Sequence, residues 1–357
     1  GKMNIGVIYN SFCYKTPLPE EAEMRATALA IGSYLSRMGY QVQYFDMDTP
    51  AAVEALCASH LDAAFNACER VHDSARGEIY AAALLEYLGI PQTRTAAWRI
   101  ALGISKVRVK AILSYYHIPT PRYQIFERPD QALDGRLMYP LFVKGMASEN
   151  SIGIDEHSLV HGQRELSAKV AQIVSELHQP ALVEEYIAGR ELGAAILPGR
   201  PSRVLPISEI VFGDLPEDSR FLDYQAKWQT ESQRFQQSTP VCPAALTETE
   251  RRLISATALK CFHVLRLDSY ARIDLRYRGG VPYVLEVNQN PSIGEVDCGY
   301  VRTCQQFGLD YMEMIRILLR NALSRTYENC RIEITRPDQT GRGAHSNHLR
   351  RPAPARV

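Results

Sequence analysis

The feature that most constrains the fold is a stretch over residues 269–293, where polar and apolar side chains alternate on either side of two glycines. Runs rich in Tyr, Ile, Leu and Val flank Gly279 and Gly280, a pattern typical of a β-hairpin. Side chains in a strand point to alternate faces, so one face of this hairpin is polar and the other apolar. The predicted apolar face consists of Ile273, Leu275, Leu285 and Val287.

The polar face carries Arg272 and Asp274 on the first strand and Glu286 and Asn288 on the second. A two-residue turn would put one of these side chains on the wrong face, because a shift of one residue reverses the faces of a strand. A three-residue loop with a glycine bulge would place Asp274 opposite Glu286, and Arg272 opposite Asn288. We therefore expect the three-residue loop.

Two carboxylates that face each other across a hairpin repel unless a cation lies between them. The oxygens of Asp274, Glu286 and Asn288 suit Mg²⁺, which binds through one or two carboxylates together with substrate phosphates. The residues alone leave an alternative open, namely a solvated polar face on which Arg272 is the counter-ion.

The hairpin resembles the metal site of the ATP-grasp superfamily, in particular that of D-alanine–D-alanine ligases and related carboxylate–amine ligases. In that family an R-x-D strand and an E-x-N strand hold two Mg²⁺ (or Mn²⁺) ions against the phosphates of ATP. The matching residues are Arg272-Ile273-Asp274 and Glu286-Val287-Asn288, followed by Pro291. The resemblance covers residues 4–319 and implies that Asp274, Glu286 and Asn288 bind metal and that Arg272 is catalytic.

The resemblance also implies ATP-binding residues in the middle of the chain. Lys106 begins a predicted helix and Lys144 ends an apolar strand, as do two family lysines that contact the nucleotide. The loop over residues 145–153 resembles the one that covers the triphosphate, and it offers Ser151 as a candidate catalytic residue. The segment 180–192 matches the part that meets adenine and ribose. The resemblance implies that Glu184 and the backbone of the residues after it, with Glu185 and Ile187 as candidates, meet adenine, and that Glu191, seven positions after Glu184, binds the ribose hydroxyls.

Residues 208–242 show little regular pattern, which in a compact domain is typical of a functional lid. Within this segment, residues 221–228 (FLDYQAKW) resemble the family's lid sequence. The resemblance implies that Lys227 contacts the γ-phosphate. Trp228 replaces the usual tyrosine beside the acceptor pocket.

The N-terminal residues alternate predicted strands and helices, including a short strand at 90–93, and this alternation indicates a parallel sheet. Ligands of such sheets lie beyond the carboxyl ends of the strands, which here points to residues 10–15 and 67–76. The family binds its donor amino acid in this region, but both loops depart from the family motifs. The candidates they offer are Glu20, Glu23, Glu69, His72 and Arg76.

The acceptor region departs from the family as well. A Ser-Leu pair normally holds the acceptor carboxylate, but here Asp297 stands at the Ser position, and Ser292 follows Pro291 where a Gly-Met pair is usual. An ionised Asp297 would repel a second carboxylate, so we expect an acceptor that presents a cationic or donor group, or that lacks a free carboxylate. The alternative is a shifted loop in which a neighbour such as Thr303 takes over.

The sequence therefore predicts an α/β ATP-grasp fold, with an N-terminal parallel-sheet domain and two α+β lobes that clamp ATP. The predicted segments are an N-terminal domain at 1–101, a central lobe at 102–190, a C-terminal lobe at 191–328 and a disordered tail at 329–357. A net charge of zero gives no reason to expect nucleic acid or a membrane as partner. Scattered cysteines, the lack of a long apolar run and the lack of a signal-peptide pattern lead us to expect a cytoplasmic protein.

The activity that the resemblance implies is ATP-dependent joining of a carboxylate to an amine through an acyl phosphate, with release of ADP, by a homodimer acting on small molecules. Three possibilities stay open from the sequence. The chain is a ligase for amino-acid-like substrates of a biosynthetic pathway, or an authentic D-alanine–D-alanine ligase of cell-wall synthesis, or a non-catalytic nucleotide-binding protein. The matching lysines and hairpin residues favour an enzyme.

Overall fold

The computed structural model describes residues 1–147, 151–296 and 298–325. Asp297 and the predicted disordered tail lie outside these residues. The N-terminal region begins with β1 (Asn4–Tyr9), α1 (Pro19–Arg37), β2 (Gln41–Asp46), α2 (Pro50–Ala58), β3 (Ala63–Asn66), a 3-10 turn (Val71–Asp73) and α3 (Gly77–Tyr87).

The first sheet is parallel, with strand order β2-β1-β3, as the alternating pattern predicted. The short strand predicted at 90–93 is reduced to a single parallel bridge between Ala64 and Gln92. Pro91 in that run lacks an N–H and cannot donate to a ladder, which limits the pairing. The carboxyl ends of β1 and β3 lead into the loops where substrate residues were expected.

The central region holds a second, antiparallel sheet. Its elements are α4 (Ala97–Ile104), α5 (Lys106–Tyr115), β4 (Tyr123–Phe126), β5 (Leu141–Gly145), β6 (Leu159–Val160), α6 (Gln163–Glu176) and β7 (Ala181–Glu185). The strand order is β4-β7-β5-β6, and α6 packs on the sheet through Leu166, Val170 and Ile173. The helix α5 begins at Lys106, as predicted, with Ser105 as its N-cap.

The third sheet carries the hairpin. The elements of this region are β8 (Arg190–Leu197), β9 (Arg203–Val204), β10 (Ser208–Val211), a 3-10 turn (Glu217–Ser219), α7 (Tyr224–Trp228), α8 (Gln233–Gln237), β11 (Thr239–Val241), α9 (Glu248–Val264), β12 (Ala271–Arg278), β13 (Val281–Asn288), α10 (Gly299–Gln306) and α11 (Tyr311–Ser324). The strand order is β11-β10-β8-β12-β13, with β9 paired to β8. The helices α5 and α9 cover the apolar face of this sheet.

The hairpin pairs Asp274 with Glu286 and Arg272 with Asn288, as predicted, but by a different route. The turn has two residues, Gly279 and Gly280, both with positive φ, as a type I′ turn requires. The expected three-residue loop is therefore wrong. A β-bulge next to Asp274 supplies the extra residue and restores the polar register.

The bulge also changes the apolar face. Val284, fully buried, joins Ile273, Leu275 and Val287 in the core, whereas Leu285 is only half-buried. The predicted core role of Leu285 is thus wrong. A simple alternation cannot place the residue where the bulge interrupts the strand.

The predicted lid at 208–242 is more regular than expected. Its ends are β10 and β11, which pair antiparallel, and it carries α7 and α8 between them. The lid is therefore an excursion from the edge of the third sheet. This origin places α7, and Lys227 on it, near the polar face of the hairpin.

No helix in residues 1–147, 151–296 and 298–325 combines the length and the apolar character needed to cross a membrane. The described cysteines are all free thiols. In the N-terminal core, α1, β1 and β3 pack with α10 and α11, so the last helices return to the first sheet.

Candidate active site

The polar face of the hairpin is an ion-pair network. Arg272 donates from Nε and one terminal nitrogen to the two carboxylate oxygens of Asp274, at 2.6 and 2.9 Å. Lys106, at the start of α5, donates to Glu286 at 2.8 Å. Each of the two opposed carboxylates is thus neutralised by a basic side chain from this network.

Three lysines act on Glu286. Burial alone would raise the pKa of this carboxyl, but the charges of Lys106, Lys144 and Lys227 outweigh burial and hold the pKa at about 2. The lysines come from α5, β5 and α7, three separate elements. Burial and the charge of Arg272 in turn lower the pKa of Lys227. The sequence-predicted phosphate lysines therefore converge at the hairpin.

A second buried cluster lies beside the first. The carboxylate of Glu184 lies 2.7 Å from Nζ of Lys110 and 2.9 Å from Nζ of Lys144. Burial would raise the pKa of Glu184, but the two lysines hold it at about 2. The sequence suggested that Glu184 meets adenine, and in the structure its carboxylate binds these lysines. Lys110 was missed, although it lies one helical turn beyond Lys106 on α5.

The donor set fits the divalent ions that the resemblance implies. The described residues contain no cluster of three or more His, Cys, Asp and Glu side chains suited to a metal. Asp274, Glu286 and Asn288 instead offer two carboxylates and an amide oxygen, the set that suits Mg²⁺ at a phosphate site. The amide oxygen of Asn288 accepts from the backbone N–H of Asn290 at 2.9 Å, which fixes its orientation.

The segment predicted to meet adenine and ribose contacts an arginine that sequence reasoning also missed. Arg276 lies on β12, directly opposite Glu191 on β8, and donates to its carboxylate at 2.7 Å. Ile187 is buried, and Glu185 accepts from the backbone N–H of Met138 at 3.3 Å. Strand alternation from Asp274 would have placed Arg276 on the polar face.

The lid contacts the end of the phosphate loop. Ser151 donates to the carbonyl of Leu222 at 3.4 Å, and the N–H of Tyr224 donates to the carbonyl of Ile154 at 3.3 Å. Asp223 accepts from the N–H of Ala226 at 2.7 Å and so caps α7, the helix that carries Lys227. The half-buried Trp228 ends that helix.

Arg234, on α8, links that helix to the residues just before α7. Its Nε lies 2.6 Å from the fully buried carboxylate of Asp223. A terminal nitrogen donates to the carbonyl of Phe221 at 3.0 Å. No pattern in the sequence marks Arg234, because its partner is set by how α7 and α8 fold onto each other.

Among the predicted substrate residues, Glu23 and Ser292 lie near the same thiol. The Ser292 hydroxyl is 3.1 Å from Cys298 Sγ. Burial raises the pKa of the Cys298 thiol, and the charge of Glu23 raises it further. Glu295 in the same loop accepts a hydrogen bond from the hydroxyl of Tyr34 on α1. The structure thus brings α1 beside the loop after the hairpin.

Two other N-terminal candidates, Glu69 and His72, contact residues of the neighbouring loops. His72 has a φ of 53°, donates from its N–H to Asp48 at 2.7 Å, and lies beside the ring of Tyr14. The N–H of Glu69 donates to Asn10 at 2.9 Å. Neither of these contacts involves Glu23 or Ser292.

Glu20 lies beside the lid residue Tyr224. Burial and then the charge of Glu20 raise the pKa of Tyr224. Oε2 of Glu20 is buried and has no hydrogen-bond partner within the described residues. A carboxylate at the start of α1 therefore contacts the segment that carries Lys227. The sequence had left Glu20 and Glu23 as equal candidates.

Comparison with known proteins settles the family. A family model described as "D-ala D-ala ligase C-terminus" matches residues 112–320, more than half of the chain. A D-alanine–D-alanine ligase of Carboxydothermus hydrogenoformans is 31% identical over 307 residues, covering 82% of this chain and 89% of that protein. The chain belongs to the D-alanine–D-alanine ligase family. The predicted family is confirmed.

Two further proteins are similar to this chain. An uncharacterised protein of Sinorhizobium fredii, y4sG, is 32% identical over 248 residues, covering 69% of this chain and 70% of that protein. The crystal structure of a D-alanine–D-alanine ligase from Bacillus anthracis complexed with ATP aligns with a TM-score of 0.71 at 22% identity, over 90% of this chain and 97% of that one. This likeness confirms the ATP-grasp fold. As a member of the family, the chain is an ADP-forming, ATP-dependent carboxylate–amine ligase.

Proposed function

We propose that this ligase activates a carboxylate as an acyl phosphate and transfers the acyl group to an amine, on amino-acid-like substrates of a biosynthetic pathway. The observation that carries the proposal is that lysines of three elements act on the hairpin: Lys106 lies 2.8 Å from Glu286, and the charges of Lys144 and Lys227 also lower the pKa of that carboxyl. Gathering lysines from three elements costs electrostatic repulsion. A triphosphate bound among them would offset that repulsion.

The lysines and Arg272 have defined parts in this proposal. Lys106, Lys144 and Lys227 neutralise the charge that develops on the transferring phosphoryl group. Lysine donates without accepting, so Lys106 and Lys144 can pass from their carboxylate partners to a phosphate oxygen. Lys106 now pairs with Glu286 and would make that exchange.

Asp274, Glu286 and Asn288 are the residues that would hold the divalent ions, which the resemblance implies are two Mg²⁺ or Mn²⁺ ions, and their oxygen donors suit Mg²⁺. When bound, such ions would neutralise phosphate charge and help to orient the nucleotide. The contribution of this chain is to keep its carboxylates ionised, and the low pKa of Glu286 ensures this at neutral pH.

The family resemblance implies two chemical steps. The substrate carboxylate attacks the γ-phosphorus, ADP leaves, and an acyl phosphate forms. The amine then attacks the acyl carbon, inorganic phosphate leaves, and the amine loses a proton. Arg272 would donate to the oxyanion of the tetrahedral intermediate, with Asp274 holding its guanidinium at 2.6 Å. Ser151, between the phosphate loop and the lid, would help exclude water from the acyl phosphate.

The proposed substrate-contacting residues include those near Cys298. Glu23, Ser292 and, from the lid, Trp228 would contact the substrates, with Glu69 and His72 on the donor side. Asp297 lies outside the described residues, so its predicted effect on the acceptor remains a prediction. We further propose that the enzyme acts in the cytoplasm as a homodimer, which rests on the resemblance alone.

An ADP-release assay over a panel of acceptors tests the substrate proposal. Wild-type enzyme should release ADP at least about tenfold faster with amines and basic amino acids than with D-alanine alone, because ionised Asp297 disfavours a carboxylate. Asp297→Ser should shift the preference towards D-alanine. Glu295→Gln, which alters the other acid of the loop, is the matched control and should keep the wild-type profile.

Two results would count against this acceptor. One is efficient D-alanyl-D-alanine formation as the preferred reaction of the wild type, which would favour an authentic D-alanine–D-alanine ligase. The other is an unchanged acceptor profile in Asp297→Ser. Wild type that releases no ADP with any pair of the panel would contradict the ligase proposal for these substrates.

A further inference from the structure

Arg276 lies on the polar face of the hairpin but has no part in the chemistry described above. It follows Asp274 by two residues on β12 and therefore points to the same side of the sheet. Its side chain is only 3% exposed. Arginine is seldom buried this deeply unless its N–H donors are satisfied, so its partners explain its place.

The guanidinium of Arg276 joins three parts of the site. One terminal nitrogen donates to the hydroxyl of Tyr186 at 2.9 Å and to the carbonyl of Ile187 at 3.1 Å. The other donates to Oε2 of Glu191 at 2.7 Å and to the carbonyl of Arg220. Arg276 therefore connects the segment predicted to meet the base, the residue predicted to meet the ribose, and the lid.

The same residues line a cavity of about 390 Å³ that includes Tyr186, Glu191, Arg220 and Arg276. Glu191 lies directly opposite Arg276 in the β8–β12 pairing, so the carboxylate is held by register as well as by the ion pair. A carboxylate has about four acceptor positions. Glu191 can thus accept from sugar hydroxyls while Oε2 stays bound to Arg276.

A contribution to stability alone does not account for this pair. Withdrawing two charges from water costs about as much as their attraction returns, so buried ion pairs are weak evidence for stability. The arrangement is better suited to fixing geometry. Lysine in place of Arg276 could not bind the carbonyl of Ile187 and the carboxylate of Glu191 together, because its ammonium lacks the fork of the guanidinium.

We propose that Arg276 is a positioning residue that fixes Glu191 for the ribose hydroxyls of ATP and links that contact to the lid through Arg220. The inference rests on the proposed function and on the ribose contact that the family resemblance implies for Glu191. It predicts that the enzyme's ability to distinguish nucleotides by their sugar depends on Arg276, a residue that does not itself touch the sugar.

The test compares the affinity of wild type and variants for ATP and for 2′,3′-dideoxy-ATP, in the presence of Mg²⁺. Hydrogen bonds to a charged group contribute about 1.5–3 kcal/mol, so wild type should prefer ATP by roughly 10- to 100-fold. Arg276→Met should bring the preference to within about threefold, mainly by weakening ATP and with little effect on the dideoxy nucleotide. Glu191→Gln should behave similarly.

Arg278→Met is the matched control, because Arg278 is the next arginine on β12, is exposed and packs on Tyr283. It should keep the wild-type preference. Arg276→Lys should give an intermediate preference and serves as the decisive variant if Arg276→Met does not fold. In the Arg276 variants that fold, the Kd for ATP should rise while kcat at saturating ATP changes by less than about threefold.

The possible results distinguish a failure of this inference from a failure of the proposed function. If Arg276→Met, or Arg276→Lys in its place, retains the full wild-type preference, the inference is overturned and the proposed function stands. A wild type that binds both nucleotides equally also overturns the inference. If wild type binds neither nucleotide, the proposed function itself fails.

Discussion

At the scale of single residues, the site depends on carboxylates that are kept ionised by lysines. Glu184 is only 3% exposed, yet its carboxylate is within 2.9 Å of two ammonium groups. Glu286 is opposed by Asp274 across the hairpin and is stabilised by Lys106 at 2.8 Å. Removing Glu184 would leave the charges of Lys110 and Lys144 without their buried partner, which costs more than the intact cluster contributes.

Replacing Glu184 with Gln should destabilise the protein at neutral pH by about 3 kcal/mol, because Lys110 and Lys144 lose their buried counter-ion. The folded-state pKa of Glu184, about 2, lies below its ordinary value of 4.5. Its stabilisation is therefore present above about pH 4.5 and is lost as the pH falls towards about 2. Urea unfolding at several pH values measures the effect.

The difference in free energy of unfolding between wild type and Glu184→Gln should shrink as the pH is lowered through that window. Glu185→Gln is the control, since Glu185 is the adjacent residue on β7 and is half-buried. Its substitution should cost less than about 1 kcal/mol. A difference for Glu184→Gln that stays constant with pH would contradict the assigned ion pairs.

At the scale of elements, the lid is held by polar contacts that are few and specific. The helix α7 has only five residues, and Asp223 caps it while pairing with Arg234 at 2.6 Å. Helices this short are not stable on their own, so α7 depends on its tertiary contacts. Two hydrogen bonds, one from Ser151 and one from Tyr224, join the lid to the region after the phosphate loop. A nucleotide that touches Lys227 would add to these contacts.

Limited trypsin digestion should show that a nucleotide protects the lid. The segment 208–242 has three trypsin sites, Arg220, Lys227 and Arg234. Cleavage there should slow at least about fivefold with a non-hydrolysable ATP analogue and Mg²⁺, because binding favours the closed state. Lys227→Met should lose most of the protection at Arg220 and Arg234. Equal cleavage of wild type with and without the analogue would count against a lid.

The sequence predicted some elements well and others poorly, for physical reasons. The pairing of Asp274 with Glu286 followed from alternation and charge, but the bulge that produces it was not visible. As a result Val284, not Leu285, enters the core. Lys110 and Arg276 could have been found by helical and strand periodicity. Arg234 could not, because its partner depends on how two short helices fold together.

At the scale of the whole molecule, the site gathers residues from all three sheets or from the segments next to them. The first sheet brings α1, with Glu20 and Tyr34, beside the lid and the loop after the hairpin. The second sheet supplies Lys144, and the third supplies the hairpin. The predicted fold is confirmed, whereas the domain boundaries at 101, 190 and 328 stay predictions.

The central claim is that the hairpin carboxylates bind the metal on which ATP-dependent ligation relies. The most direct measurement is ADP release at increasing Mg²⁺ concentration by wild type, Glu286→Ala and the control Glu209→Ala, which alters a carboxylate on β10 that pairs with Arg190. Glu286→Ala should lose at least about 1,000-fold in activity while staying folded by circular dichroism, because one lost transition-state electrostatic contact costs roughly 100- to 1,000-fold and the metal site is lost with it. Glu209→Ala should stay within about threefold of wild type. Unchanged activity and unchanged Mg²⁺ dependence in Glu286→Ala would contradict the account.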